Sequence, residues 1–272
     1  ATTMTGTVWH RDAAGQWDNR QMTDGDPMRA ISGNGASDIW AVGSKGFVAH
    51  WDGDEWVAMR LTLSTGEAPE LLGVWAGATE VWAVGSYDMS STFADGPAAA
   101  FRFRGGVWER MFEVPGFAES VWGWDEDNVI VGGRASRDSD MRPLIQRFDG
   151  DRWIELPVPR SVDEVRGIAG INPDDLWIFG MSTMTWHYAA GQWKEMLWPS
   201  PNGANGGWIS DLWPSAGGAW GFAGSRLSKF DGDRVVPLWQ SCCYVNDIAG
   251  SGPNDVWLFG ERGLAMHWDG VR

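Results

Sequence analysis

Short apolar runs recur along the chain at regular intervals, and most carry a tryptophan near the centre. The run Ser-Asp-Ile-Trp-Ala-Val-Gly at 37–43 returns in related form at 79–85, 174–180 and 254–260, and more weakly at 127–133 and 218–223. The central position therefore falls at 40, 82, 130, 177, 220 and 257, with spacings of 37 to 48 residues. Apolar residues occupy both parities of each run, which is typical of a strand covered on both faces.

A second motif follows each of these anchor runs. It reads His-Trp-Asp-Gly-Asp-Glu-Trp at 50–56, and related segments begin at 10, 147, 187, 229 and 267. Asp-Gly between two β-rich runs predicts a tight hairpin, because both residues tolerate a positive φ. The first complete repeat thus predicts four strands. The first passes through Ile31, the second carries Trp40, the third ends at Trp51 and the fourth begins at Trp56.

Four strands in about 43 residues is the size of one propeller blade. We therefore expect an all-β fold, a β-propeller of four-stranded antiparallel blades in a single domain, 1–272. Six blades are preferred and seven are the alternative, while a solenoid is disfavoured because its coils are usually shorter. The predicted units are 1–26 (partial), 27–68, 69–115, 116–160, 161–204, 205–242 and 243–272 (partial).

The two chain ends supply incomplete units. The N-terminal segment predicts a third and a fourth strand, whereas the C-terminal segment predicts strands one to three. We expect these strands to share one blade and so close the ring, because closure removes an exposed sheet edge. A fragment of a longer repeat array is the alternative.

These repeats resemble the Trp-anchored propeller repeats of many bacterial surface proteins. The Asp-Gly-x-x-Trp hairpins are similar to degenerate Asp-boxes, the turn motif of sialidase-like propellers, and the conserved basic position is similar to that of WD-type blades. The resemblance implies a fold and not an activity. The arginine cluster and nucleophilic tyrosine of sialidases have no counterparts at matching positions, so no catalytic residue is carried over.

Composition narrows the function classes. The chain has 272 residues with 43% hydrophobic residues and 21 Trp, enough to fill a core. Its formal net charge of −15 would repel nucleic acid and anionic membranes, so neither is an expected partner. No apolar run spans a bilayer and no signal peptide is present, while heavy Trp and Gly use with few Lys favours a secreted, cell-surface or periplasmic protein.

Topology predicts which face carries function. In an up-and-down blade, the fourth-to-first and second-to-third connections emerge on one face and the hairpins on the other. The long connections all belong to the first face, at 62–70, 86–97, 134–143, 197–207 and 238–244. We call it the long-loop face and expect it to bind a ligand, because variable loops on a rigid scaffold carry most sites.

Two sets of side chains are candidates for that ligand. Polar groups at the starts of the innermost strands either bind a polar ligand or solvate the central channel. Aromatic residues in or beside the long loops either contact a sugar or peptide, or fold back onto the blade. The candidates are Arg29, Glu119, Arg166, Asp211 and Asp247 in the first set, and Tyr87, Trp198, Trp208, Trp239 and Tyr244 in the second.

The histidines and cysteines carry separate expectations. All four His occupy one repeat position, where other repeats have Arg or Lys, so they are interpreted as structural donors and not as metal ligands. No metal or cofactor is expected. The adjacent Cys242 and Cys243 form either a strained vicinal disulfide or two thiols.

Three functions follow from these features. The preferred one is a non-enzymatic recognition module that binds a glycan, protein or peptide. The first alternative is a glycoside hydrolase or lyase at the central funnel, which needs Glu119 paired with Asp211 or Asp247. The second is a structural block of a larger surface protein.

Overall fold

The computed structural model describes residues 2–12, 14–63, 66–87, 97–137, 140–180, 184–199, 209–216, 218–241 and 243–271. Strands dominate, and within these residues the only helical segments are two short 3₁₀ turns. None of the described helices is long and apolar enough to cross a bilayer. The chain divides into two compact units, Ala1–Pro157 and Val158–Arg272.

The first unit contains a two-stranded, a four-stranded and a seven-stranded sheet, with strand orders β1-β2, β3-β4-β5-β6 and β13-β12-β11-β10-β9-β8-β7. Its strands are β1 (Thr7–Arg11), β2 (Trp17–Gln21), β3 (Met28–Gly35), β4 (Asp38–Gly43), β5 (Phe47–Trp51), β6 (Trp56–Arg60), β7 (Glu70–Ala76), β8 (Val81–Ser86), β9 (Pro97–Arg104), β10 (Val107–Asp125), β11 (Asn128–Arg137), β12 (Asp140–Phe148) and β13 (Trp153–Glu155).

The seven-stranded sheet consists of two blades joined by one strand. The first part of β10, from Val107 to Pro115, pairs with β9 and is the fourth strand of one blade. The second part, from Gly116 to Asp125, pairs with β11 and is the first strand of the next blade. Strand β10 therefore replaces the fourth-to-first connection that other blades have.

The second unit contains two four-stranded sheets and a three-stranded sheet, in which each strand pairs antiparallel with its sequence neighbour. Its strands are β14 (Gly167–Asn172), β15 (Asp175–Phe179), β16 (Met184–Ala189), β17 (Gln192–Leu197), β18 (Ile209–Ser215), β19 (Gly218–Ala223), β20 (Arg226–Phe230), β21 (Val235–Gln240), β22 (Val245–Gly252), β23 (Asp255–Gly260) and β24 (Ala265–Trp268). The expectation of four-stranded antiparallel blades is confirmed. Blade number, ring closure and the unit boundaries stay predictions.

The anchor runs form the second strand of each blade and are the most buried part of the chain. Trp82, Trp177 and Trp220 are each no more than 2% exposed, and the flanking residues of both parities are buried as well. This confirms that these three anchor strands are covered on both faces, whereas in β23 Trp257 and Phe259 are only partly buried. The apolar clusters form around these strands, between neighbouring sheets.

Three blades share a cluster of Asp, Trp and His in which the histidine contacts the aspartate and stacks on the tryptophan. The His50 Nε2 lies 2.9 Å from Asp38 Oδ1, Trp40 Nε1 donates to the same oxygen at 2.8 Å, and the His50 and Trp40 rings stack with centroids 4.1 Å apart. His187 pairs with Asp175 at 2.8 Å and His267 with Asp255 at 2.7 Å, each ring stacking on the anchor tryptophan. The predicted structural role of these three histidines is confirmed.

Cations fill the same position in the other blades. The Arg102 guanidinium lies 5.8 Å from the Trp82 ring centroid, and the Lys229 ammonium lies 5.1 Å from that of Trp220. A cation over an indole face replaces the stacked imidazole. The remaining histidine, His10, is exposed, with its Nδ1 3.3 Å from Asp18 Oδ1.

The Asp-Gly hairpins are closed by the aspartate side chain. Asp52 Oδ1 accepts the backbone N–H groups of Asp54 and Glu55, both at 2.9 Å, and Asp149 and Asp231 accept the equivalent pairs at 2.9–3.1 Å. Gly53 has a φ of +103°, which explains why glycine follows the aspartate. These backbone hydrogen bonds lower the pKa of Asp52, Asp149 and Asp231.

The glycine that ends each anchor run allows two backbones to approach closely. A Cβ on Gly85 would lie 1.9 Å from the carbonyl oxygen of Glu70, and a Cβ on Gly133 would lie 1.9 Å from that of Phe117. The equivalent distances at Gly43, Gly180 and Gly260 are 2.3–2.5 Å, and Ala223 occupies this position in the remaining copy. The repeated glycine is therefore a packing requirement in five blades.

One of the predicted long connections is not a loop. Residues 134–143 extend the β11–β12 hairpin, in which Arg134 pairs with Pro143 and Arg137 pairs with Asp140. The prediction of an irregular connection there was wrong, because the backbone ladder continues past the blade. Parts of the connections at 62–70, 86–97 and 197–207 lie outside the described residues.

We predict that Gly85→Ala lowers the free energy of unfolding by about 1–3 kcal/mol, because the new methyl group forces β7 and β8 apart. Urea denaturation measures the change. Gly35→Ala is the control, since a Cβ there meets no atom within 4 Å and its φ is not in the left-handed region. Equal stability of the two variants would contradict the close-approach explanation.

Candidate functional site

The first strands of five blades begin with a β-bulge. The register shifts lie between Met28 and Ala30, Leu71 and Gly73, Ala118 and Ser120, Ile209 and Asp211, and Val245 and Asp247. The residue that the strand ladder skips is thus Arg29, Leu72, Glu119, Ser210 or Asn246, and two of these, Arg29 and Glu119, are predicted site residues. Bulges re-aim side chains and are common beside functional sites.

In the first unit, two predicted site residues lie at these bulges. Arg29 is exposed, and its Nη1 lies 3.8 Å from the Met4 sulfur. Glu119 forms an ion pair with Arg134 at 3.4 Å, and the same guanidinium lies 5.5 Å from the Phe117 ring centroid. The charge of Glu119 is therefore balanced by a neighbouring strand.

In the second unit, Arg166 is held by an acidic neighbour. Its Nε donates to Glu164 Oε1 at 2.8 Å, and its backbone N–H donates to Phe179 at 2.8 Å. The guanidinium is half-exposed and the carboxylate is nearly buried. This pair fixes the entry to β14 and leaves part of the guanidinium accessible.

The remaining two polar candidates form a carboxyl pair. Asp211 Oδ1 accepts the Leu212 N–H at 2.8 Å, and Asp211 Oδ2 accepts the Ile248 N–H at 3.0 Å, which links β18 to β22. Burial, and then the negative charge of Asp247, raise the pKa of Asp211 well above its ordinary value of 3.8, and the two side chains are hydrogen bonded. The raised pKa favours the protonated form of Asp211, which avoids a second negative charge beside Asp247.

The hydrolase alternative requires Glu119 paired with Asp211 or Asp247, with the carboxyl groups roughly 5 Å apart or more so that substrate or water fits between them. Glu119 belongs to the first unit and both aspartates belong to the second, so that pairing stays a prediction. Both oxygens of Asp211 accept backbone N–H groups. The arrangement is suited to linking two innermost strands.

The aromatic candidates differ in how far their rings are exposed. Trp198 is only 1% exposed and donates its Nε1–H to Thr185 Oγ1 at 2.9 Å, so the expectation of an exposed ring there was wrong. That hydrogen bond and edge packing on Trp177 draw the ring into the core. Trp239 and Tyr244 are 38% and 58% exposed.

Two predicted positions lie outside the described residues, Trp208 and Cys242. The pairing of Cys242 with Cys243 therefore stays a prediction. The backbone N–H of Cys243 donates to Ser241 Oγ at 3.0 Å, which shapes the turn before β22. In the described part of the chain, no three His, Cys, Asp or Glu side chains form a group suited to a metal ion.

Tyr87 lies in a feature that the sequence did not predict, a cleft of about 950 Å³ in the first unit. It opens between the segment that follows β6 and the sheet face of β9 and β10. The cleft runs from this fourth-to-first connection along β10 to Gly106 in the β9–β10 hairpin, so it extends from the long-loop face towards the hairpin face. We call it the interblade cleft, lined by Arg60, Leu61, Thr62, Leu63, Glu67, Tyr87, Pro97, Phe101, Gly106, Val107, Trp108, Arg110 and Glu113.

The base of the interblade cleft is apolar. Leu61 and Phe101 are buried, and they belong to the apolar cluster that joins β3–β6 to β7–β10. Trp108 packs against Phe103 at 5.2 Å and edge-on against Trp40 at 6.3 Å. Tyr87 meets Phe101 edge-on at 5.9 Å. These contacts make the base rigid.

One wall is held by a network of charges. Arg60 donates to the Lys45 carbonyl at 2.8 Å, and the Lys45 ammonium pairs with Asp26 at 2.7 Å. The Lys45 backbone N–H donates to Glu70 Oε1 at 2.9 Å, and its φ is +57°. Few non-glycine residues adopt this left-handed backbone conformation, and those that do are often found at functional sites.

The opposite wall carries Arg110, which pairs with Glu113 at 2.5 Å. Burial raises the pKa of Tyr87, and the neighbouring Tyr87 hydroxyl raises the pKa of Arg110. With Arg60 and Glu67, the cleft has two positive and two negative side chains. The cleft is therefore amphipathic and close to neutral, in contrast to the acidic chain as a whole.

Solved structures of other proteins share this architecture. No family model and no curated protein matches the chain. Solved structures do match: YCF48 bound to D1 peptide (16% identity, TM-score 0.66, covering 91% of this chain and 80% of that one) and YCF48 from Cyanidioschyzon merolae (16%, 0.69, 98% and 89%). U3-55K matches at 7% identity with a TM-score of 0.72, covering 95% and 83%.

The chain has a β-propeller fold. These identities are too low to transfer an activity, so the similarity concerns the fold. It confirms the propeller repeat that the anchor runs predicted.

We predict that Asp247→Asn makes stability less dependent on pH. Because the folded-state pKa of Asp211 is raised, its contribution is present below its ordinary pKa and is lost as pH rises through the raised value. An amide at 247 removes the repulsion and donates to Asp211, so the stability lost as pH rises above the ordinary carboxyl pKa should shrink by roughly 1 kcal/mol or more. Urea titrations at each pH measure it.

Asp54→Asn is the matched control for that experiment, because Asp54 is exposed in a hairpin of the first unit. Its pH profile should follow that of the wild type. If Asp247→Asn and wild type had parallel profiles, the carboxyl pair would not be the source of the pH dependence.

Proposed function

We propose that this propeller is a recognition module that binds a segment of a partner protein in the interblade cleft. The single observation that carries the proposal is the cleft itself. Its 950 Å³ falls in the range of ligand sites, and it combines an apolar base with charged walls. Such a site suits a peptide, which offers apolar side chains and backbone hydrogen-bonding groups together.

The comparison supports the same class of ligand. One similar propeller is YCF48 bound to D1 peptide, so a chain with this fold and similar length accommodates a peptide. A fully extended peptide advances about 3.3 Å per residue. The stretch of β10 from Val107 to Glu113, which lines the cleft, therefore matches a bound segment of roughly six residues.

A filled cleft tests the proposal. We predict that Thr62→Trp, which places a large ring in the cleft from an exposed position, abolishes or weakens peptide capture at least roughly tenfold. Selection of a displayed random-peptide library on the wild-type protein supplies ligands, and titration calorimetry with synthetic copies measures their affinity. Thr5→Trp is the control, because Thr5 is exposed outside the cleft.

The proposal fails if the library yields no peptide, or if selected peptides bind Thr62→Trp and wild type equally. A peptide whose affinity falls only in Thr62→Trp supports the cleft as its site. Circular dichroism of both variants shows whether the blades remain folded.

The second candidate function is glycan binding in the second unit. The exposure of Trp239 and Tyr244 favours it, because sugar C–H faces stack on accessible aromatic rings. Leu238, beside Trp239, is 48% exposed and extends the apolar surface. A glycan array tests this function, and binding that survives Trp239→Ala and Tyr244→Ala together would exclude these rings as the site.

We further propose a secreted or cell-surface setting, and a relation of the hairpins to bacterial Asp-box propellers. The Asp side chains that close the turns and the scarcity of Lys support these two proposals. Fractionation of the source cells, followed by detection of the chain, tests the location.

A further inference from the structure

One edge of strand β10 is open where the strand runs along the interblade cleft. From Val107 to Pro115, β10 pairs with β9, and among the described residues no strand pairs with its other edge. The second half of β10 pairs with β11, which lies on the opposite side from β9. An open sheet edge presents backbone N–H and C=O groups with which another extended chain can pair.

The hairpin that precedes β10 shows which backbone groups face the open edge. In an antiparallel ladder, pairs of residues that exchange hydrogen bonds alternate with pairs whose N–H and C=O groups point away from each other. Gly105 and Gly106 form a two-residue loop with positive φ, so the flanking Arg104 and Val107 form a hydrogen-bonded pair. Trp108, in the next pair, therefore directs its backbone groups to the open edge.

The other end of the ladder gives the same alternation. Pro115 lies directly opposite Pro97, and because neither residue has an N–H, this pair exchanges no hydrogen bond. Two residues earlier, Glu113 belongs to a pair of the same kind. The bulge between Arg110 and Phe112 separates the two counts, so neither count crosses it. The residues whose backbone groups face the open edge are Trp108, Arg110 and Glu113.

These three residues also line the interblade cleft, so the open edge and the cleft form one surface. Arg110 and Glu113 are exposed to solvent. Between them, the Met111 carbonyl already accepts the Trp153 indole N–H at 3.0 Å. The groups on this edge that remain for a ligand are therefore centred on Trp108 and Arg110.

We propose that a partner segment binds in the interblade cleft as an extended strand added to the open edge of β10. This inference rests on the proposed peptide-binding function and names the conformation of its ligand. Trp108 and Arg110 lie two residues apart, about 6.6 Å in a strand, which is the spacing at which an extended peptide presents its own N–H and C=O groups to one side. Alternate side chains of the segment then enter the cleft, where Leu61 and Phe101 receive an apolar one.

The first test removes single backbone N–H groups from the ligand. The probe is a peptide selected from the displayed library on the full wild-type chain, synthesised with one N-methyl group at each position in turn. We expect affinity to fall at least roughly tenfold at two positions that lie two residues apart, because both N–H groups face β10. N-methylation of the residue between them is the matched control, since that N–H points away. Titration calorimetry measures each affinity.

The second test removes one N–H from the edge of the protein. Arg110→Pro eliminates the outward N–H and keeps the hydrogen bonds between β9 and β10, whereas Arg110→Ala removes only the side chain and is the matched control. We expect the selected peptide to bind Arg110→Pro at least roughly tenfold more weakly than Arg110→Ala. Thermal unfolding shows whether both variants are folded, and if Arg110→Pro is not, the N-methyl series on the wild type decides.

The outcomes separate the two proposals. If selected peptides lose affinity in Thr62→Trp but the N-methyl series shows no two-residue alternation, this inference is overturned and the recognition function stands. Equal affinity of folded Arg110→Pro and Arg110→Ala also overturns it, even with an alternating N-methyl series, because the strand would then lie on another edge. A library that yields no peptide, or only peptides that bind Thr62→Trp and wild type equally, removes both proposals.

Discussion

Coverage of the second strand on both faces is the constraint on which each blade depends. A strand with Trp82, Val84 and their neighbours fully buried cannot stay in water on either side of its sheet. Each blade therefore needs a neighbour, and the apolar clusters form between sheets more than within one. The Asp–His pairs lie at the edge of these clusters and give the imidazoles hydrogen-bond partners, whereas the cation–indole contacts bring a positive charge onto the faces of Trp82 and Trp220.

The same constraint explains the position of the interblade cleft. Near the anchor strands the sheets pack without gaps, but the outer strands are less covered, and Trp108 and Tyr87 are only half-buried. The segment after β6 crosses this outer region and leaves the cleft beneath it. Two apolar residues in this region, Leu61 and Phe101, belong to the core cluster and also line the cleft. The proposed recognition site combines this rigid apolar base with charged walls.

The repeat made the fold predictable from sequence, because the blades reuse three local devices. These are the buried anchor strand, the aspartate that closes the hairpin, and the glycine at the close approach. The candidate site was less predictable. Glu119 and Asp211 were placed correctly at the starts of first strands, but their partners Arg134 and Ile248 lie on other strands, and pairings of that kind leave no local pattern.

The errors have identifiable causes. Trp198 follows an exposed leucine at a strand end, and only the buried Thr185 hydroxyl across the sheet explains its inward orientation. The cleft was missed because Arg60, Trp108 and Arg110 belong to different repeats. Trp108 occupies a position at which other repeats carry packed tryptophans, so its motif alone predicts a core residue.

Strand β10 has a mechanical consequence. Because β10 is a single strand of 19 residues that belongs to two blades, no loop separates these blades. In contrast, the nine-residue segment 61–69 joins β6 to β7. Loss of β10 pairing in one blade would directly disturb the backbone hydrogen bonds of β10 in the other blade. Residues 70–155 should therefore lose their amide protection in a single cooperative step and behave as one foldon that spans two modules.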